Sequence, residues 1–390
     1  MFGAIYIGLS GLSAYSKGLQ IVSNNVSNMN TLGYKSSDVT FGDLAGLGSS
    51  GGLDFSRYSA GGHGVGVNDI SINFNQGELR QTGRELDLAI DGNGFFTLLD
   101  GENMYFTRTG SFTVDEAGYI VLQGTEYRLA TLDGAGRPVA ISIDAHRTDP
   151  PVKTDRISFA DNLSSTATEM TIPDLKVYDE KGVETTWTIK FTRPETSAGV
   201  WQVKVSDGSR EIATKELKFT GSAVDPTTRE LQFEDTTKGL SVTFDFSSNV
   251  TSFSSGTVSS LRAAEVKGHA TGSLAALRVN QQGQIEIAYT NEETKQLGAV
   301  ALADFRDPQS LEQRSKALFV YTGFGQRQFL AATDSRVGTI LGKQLEASNV
   351  DLGSQFGDLI LIQRGFQASS QVISVTNDMI QQLFGIRGQG

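Results

Sequence analysis

The chain has 390 residues, 38% hydrophobic and 20% charged, which is long enough for two or three domains with buried cores. Lys and Arg total 33 against 44 Asp and Glu, a formal charge of −11 that argues against a phosphate backbone, and so against nucleic acid, as a partner. Cysteine is absent, which excludes disulfides, thiolate metal sites and thiol catalysis, and no apolar run nears the ~20 residues of a membrane helix, so no membrane insertion is expected.

The N-terminus, Met1-Phe2-Gly3-Ala4-Ile5-Tyr6-Ile7-Gly8, lacks a basic segment, a continuous apolar core and a cleavage site, so it does not read as a secretory signal. Over residues 5 to 29, Ile5, Leu12, Leu19 and Val26 recur every seven residues, and Gly8, Tyr15, Val22 and Met29 fall three positions later. That spacing predicts an amphipathic helix, stopping near Asn30-Thr31-Leu32-Gly33. Residues 42 to 66 are Gly-rich and read as a long flexible connection.

The interior reads as β. Trp187-Thr188-Ile189-Lys190-Phe191, Val203-Lys204-Val205, Leu217-Lys218-Phe219 and the run from Leu240 to Phe246 alternate apolar and polar residues, the pattern of half-buried antiparallel strands. Turns are expected at residues 179–182, 206–208 and 236–239. Two distant stretches, 112–120 and 277–285, share the pattern apolar-x-Val-(Asp/Asn)-x-x-Gly-x-Ile, a hairpin with Gly where positive φ is needed. Similar hairpins flanking a block of strands predict one β domain interrupted by another.

At the far end Leu345, Leu352, Leu359, Phe366, Ile373 and Ile380 recur every seven residues, with Ile362 and Leu383 widening the stripe. A helix is predicted over about 351 to 384, with Asp351 as N-cap and Gly385 and Gly388 ending the pattern. Two helices alone leave much of both stripes wet. An intrachain bundle or other copies of the chain would cover them. The expected fold is mainly β with long terminal α-helices paired in a coiled-coil-like region, and two antiparallel β domains, one inserted in the other. The expected boundaries are 1–40 with 345–390 (helical, polymerising), 41–85 with 330–344 (connecting), 86–146 with 269–329 (split β domain) and 147–268 (inserted β domain).

No catalytic, cofactor or metal constellation emerges. His63, His146 and His269 are scattered. Gly61-Gly62-His63-Gly64-Val65-Gly66 lacks the Lys-Ser/Thr of a phosphate loop. Asp91-Gly92-Asn93-Gly94 opens like a calcium loop, but Phe95 and Phe96 stand where oxygen ligands belong, so a hairpin turn is expected. Glu85 and Asp87 are expected on a solvated strand face.

Three stretches resemble the axial proteins of bacterial flagella. Residues 23–35, Ser23-Asn24-Asn25-Val26-Ser27-Asn28-Met29-Asn30-Thr31-Leu32-Gly33-Tyr34-Lys35, are similar to the N-terminal signature of rod and hook subunits. Leu345-Glu346-Ala347-Ser348-Asn349-Val350-Asp351-Leu352, followed by Ile362-Gln363-Arg364-Gly365-Phe366-Gln367-Ala368, resembles the C-terminal one. The run from Leu86 to Phe96 resembles the first strands of their shared β domain. Within the family the hook branch fits best, because rod subunits lack a block like 147–268. The resemblance implies a structural polymer without enzymatic activity or cofactor: a curved, flexible tube that couples rod to filament and transmits torque. Implied partners are the chain itself, the rod and hook–filament junction proteins, the hook cap and the flagellar type III export apparatus. The implied location is outside the cell, in the hook and basal body, reached without a cleaved signal. Ile5, Leu12, Leu19, Val22 and Val26 on the first helix, with Leu352, Leu359, Ile362, Phe366, Ile373, Ile380 and Leu383 on the second, are the expected subunit-interface residues. The alternatives are another axial component, such as a distal rod or junction protein, and an extracellular β-domain binding protein.

Overall fold

The computed structural model describes residues 2–44, 64–194, 199–323, 325 and 327–387. Helix α1 spans Phe2–Ser27 and helix α2 spans Leu352–Arg387; nearly all the regular structure between them is strand. Proline is absent from both helical stretches, so nothing removes a backbone donor along them. Asp351 caps α2, its Oδ1 accepting the Gly353 N–H at 2.8 Å. α1 ends at Ser27, earlier than the spacing predicts, and the chain turns through residues 28–33. Gly33 supplies φ of +67° there, and its N–H donates to the Glu346 carbonyl at 2.8 Å.

The residues fall into two compact units. The first comprises Met1–Ile143, Leu277–Glu286 and Gln296–Gly390; the second comprises Asp144–Ala276 and Ile287–Lys295. In the first unit, Phe95, Phe106, Phe305, Leu311 and Phe319 form a core packed edge to face. Both predicted hairpins are present with one turn design. Asp115 N–H donates to Tyr119 O and Gly118 N–H to Asp115 O, and Asn280, Gln284 and Gly283 repeat both bonds. The Asp115 and Asn280 side chains each accept from the residue four positions on, and Gly118 and Gly283 sit at φ +77° and +72°.

The second unit holds a sheet whose meander runs through Glu169–Tyr178, Glu184–Thr192, Val200–Asp207 and Arg210–Thr220. Its inward side chains include Trp187, Ile189, Phe191, Trp201, Val203 and Phe244, all buried. Two pairings depart from the all-antiparallel expectation: Val152–Asn162 runs parallel to Leu240–Asp245 and to Val250–Thr251. The meander intervenes between these strands, so the chain returns in its starting direction.

Three further expectations change. Residues 42–43 and 65–66 belong to the antiparallel ribbon of Ser37–Asp43 with Val65–Ile72, while residues 45–63 of the Gly-rich stretch, His63 included, lie outside the described residues. Asp91–Gly94 is a turn but not a hairpin, because Asp87–Asp91 pairs with Thr109–Val114 and Thr339–Gly342 instead of with Phe95–Asp100. Asp87 is buried, not solvated, and its carboxylate accepts from the Ser111 hydroxyl. Glu85 meets Lys343 at 2.9 Å.

Candidate assembly surface of the terminal helices

The two helices pack antiparallel within the chain. The nearest neighbours pair as Gly8 with Ile373, Gly11 with Ser369, Gly365 with Tyr15, and Gly18 with Ile362, so each step up α1 matches a similar step down α2. The glycines set the closeness. A Cβ on Gly8 would stand 2.6 Å from Ile373 Cγ1, and one on Gly18 would stand 2.9 Å from the Phe41 ring. Glycine costs a helix about 1 kcal/mol relative to alanine. Here that cost is offset by backbone-close contact.

The pairing ends in a buried polar hub. Asn25 donates from Nδ2 to Gln355 Oε1 and to Ser37 O, both at 2.9 Å. Its Oδ1 accepts from Ser37 N at 3.0 Å and Tyr34 OH at 3.1 Å, which satisfies the whole amide. Asn25 thereby fixes the helix register through a specific set of partners.

A second buried cluster ties the two terminal signatures together. Lys35 Nζ lies 2.5 Å from Glu346 Oε1 and donates to Asn75 O at 2.8 Å, and Lys35 and Glu346 are both fully buried. Gly77 N–H also donates to Glu346 Oε1 at 2.8 Å. Arg108 Nε stands 3.5 Å from Glu346 Oε2, while the rest of its guanidinium donates to the Gly92 and Gly94 carbonyls. Burial pushes the Lys35 ammonium below its ordinary pKa, against the pull of the Glu346 carboxylate. Burial lowers Arg108 in the same way.

Sequence spacing singled out twelve interface residues, and the structure divides them. Val22 and Ile362 are buried within the chain. Ile5, Leu12, Leu19, Val26, Leu352, Leu359, Ile373 and Ile380 are half-buried, and Phe366 and Leu383 are exposed. Ile362 and Ile373 lie against α1 of the same chain. Beside Leu383, residues outside the twelve are open to solvent: Leu361 (70% exposed), Val372, Val375, Met379 and Phe384. Leu361, Ala368 and Val375 are seven apart, and Val372 and Met379 follow Ala368 and Val375 by four, so these residues form a second heptad stripe on a different flank of α2. The 361/368/375 spacing signals it, but the stronger 345–380 repeat masks it.

Four family models match the chain: "Flagella basal body rod protein" over residues 5–35, "Flagellar hook protein FlgE/F/G D1 domain" over 89–172, "Flagellar basal body protein FlaE D2 domain" over 142–301 and "Flagellar basal body rod FlgEFG protein C-terminal" over 342–386. Paired terminal helices, β units between them and these matches define an axial protein of the bacterial flagellum. The flagellar hook protein FlgE of Escherichia coli K12 is 28% identical over 97% of this chain and 98% of its own length. That of Borreliella burgdorferi is 25% identical over 99% and 100%. The crystal structure of Helicobacter pylori flagellar hook protein FlgE2 shares the fold, with a TM-score of 0.50 at 13% identity, covering 69% of this chain and all of that one. Together these likenesses support a flagellar hook protein, a structural subunit of the hook.

Proposed function

We propose that the chain assembles head to tail into a curved, flexible tube that joins rod to filament and carries torque between them. The observation that carries this reading is the second stripe on α2. A helix already paired with α1 still leaves Leu361, Val372, Val375 and Met379 in water, a surface that further copies would cover. The interface residues shift accordingly. Phe366 and Leu383 stay in the contact between copies together with this stripe, while Ile362 and Ile373 serve the pair within the chain. Within this reading the chain divides into 1–40 with 345–390 (helical), 41–85 with 330–344 (connecting), 86–146 with 269–329 (split β domain) and 147–268 (inserted β domain), with residues 287–295 grouped with the inserted one. The rod, the junction proteins, the cap and the type III export apparatus are the partners this role requires, and the hook outside the cell is its place. Negative-stain microscopy of concentrated protein tests the reading. Tubes should form, and removal of both terminal helices should abolish them. Persistent monomers at all concentrations would overturn it.

A further inference from the structure

Across the β units, surface cations find carboxylates of their own chain: Lys190 with Glu169 at 2.7 Å, Lys153 with Glu180 at 3.0 Å, Lys343 with Glu85 at 2.9 Å. The helices differ. Lys17, Asp358, Arg364 and Asp378 are exposed, and among the described residues none forms an ion pair or side-chain hydrogen bond. Asp38, on the strand that follows α1, is equally unpaired. Asp358 and Arg364 cannot serve each other along one helix, because six residues place them on different faces and only three- and four-residue spacings meet.

Asp38 and Asp358 share one feature. Both line a groove of about 540 Å³ walled by Tyr15, Val22, Phe41 and Leu361. An apolar cleft rimmed by two unpaired carboxylates suits an occupant that offers an apolar side chain and then a cation. This chain carries such a pair on the outer side of α2: Ile360 and Arg364, four residues apart on one face and both exposed.

We propose that this groove receives Ile360 and Arg364 of a second copy, with the guanidinium set between Asp38 and Asp358. The inference rests on the tube reading and deepens it by naming two surfaces that meet. Donor and acceptor are different patches, so the contact is heterologous and repeats without closing on itself, as a filament requires. Arg suits the role, since its planar fork can engage two carboxylates where Lys offers a point charge.

Charge reversal tests the contact, with sedimentation and microscopy reading assembly and thermal melting reading the monomer. Arg364→Asp should raise the concentration needed for tubes by about tenfold or more, because three carboxylates would then face one another. The melting curve should stay unchanged, since Arg364 has no partner among the described residues of its own chain. Adding Asp38→Arg and Asp358→Arg to Arg364→Asp should bring most of the assembly back. Lys17→Asp should have the smaller effect. Tubes from Arg364→Asp at the parent's concentration, no recovery in the triple variant, or a larger loss from Lys17→Asp would each overturn the contact while leaving the tube itself standing. A parent chain that never assembles would overturn both.

Discussion

In the second unit Trp187, Ile189 and Phe191 are wholly covered by the unit's own strands, whereas along α2 Leu361, Val375 and Phe384 stand half or more in solvent. The charges divide the same way. Strands of the second unit carry cross-strand pairs such as Lys204 with Glu211, while Lys17, Asp358, Arg364 and Asp378 of the helices form no ion pair among the described residues. A sheet packed around two tryptophans is complete in one chain. Two helices held together by glycine contacts bury one narrow face each and offer the rest. The difference separates a part that folds alone from a part that copies complete.

Substitutions break this comparison most strongly at the helices. Val375→Asp puts a charge on the open stripe, where a second copy would have to bury it unpaired at several kcal/mol per subunit. Tube formation should be lost with the melting of the monomer unchanged. Ile362→Asp, on the buried face, should disrupt the helix pair before any assembly. Leu359 is half-buried, so Leu359→Asp should resemble Ile362→Asp in a milder form.

Glu346→Gln comes next. It removes the carboxylate that faces both Lys35 and Arg108 and leaves buried cations without a counter-charge. Breaking such a pair costs about 3–5 kcal/mol. A calorimetric scan should show the transition of the first unit moving down while that of the second holds. Equal shifts in both would mean that the two units unfold as one.

How much of this is legible in the sequence follows from the range of each interaction. Helices and alternating strands announce themselves through local periodicity, and both hairpins carry their turn residues within nine positions. The parallel return of Val152–Asn162 beside Leu240–Asp245 does not, because no local pattern fixes which strands become neighbours. The Lys35–Glu346 pair spans 311 residues. Both of its ends lie in stretches that stand out as signatures, yet spacing cannot pair them. The outward stripe is hidden for another reason. Two heptad repeats overlap on α2, and periodicity finds stripes without saying which one a partner helix has taken.

Acid gives the smallest expected effect and bears on the second unit. Burial alone would raise the Asp235 carboxyl, but hydrogen bonds from Arg210 and from the Thr237 N–H outweigh it and hold the group below the usual carboxylate range. A carboxyl lowered in the folded state stabilises above its unfolded pKa and loses that contribution as pH falls through the folded one. Urea melts of the second unit should therefore weaken as pH drops below about 4. Asp235→Asn should cost on the order of 1 kcal/mol at neutral pH and flatten the decline. A parallel pH dependence in the variant would place the sensitive carboxylates elsewhere.

Amide hydrogen exchange followed in dilute monomer and again in assembled tubes tests the central claim most directly. The core strands Glu184–Thr192 and Val200–Asp207 should be strongly protected in both states, being buried by their own chain. Amides of Phe2–Ser27 and Leu352–Arg387, paired along one face only, should be less protected than those strands in the monomer and slow by orders of magnitude in the tube. Helices as protected in a proven monomer as in the tube would contradict the account, because the pair would then be complete without its neighbours.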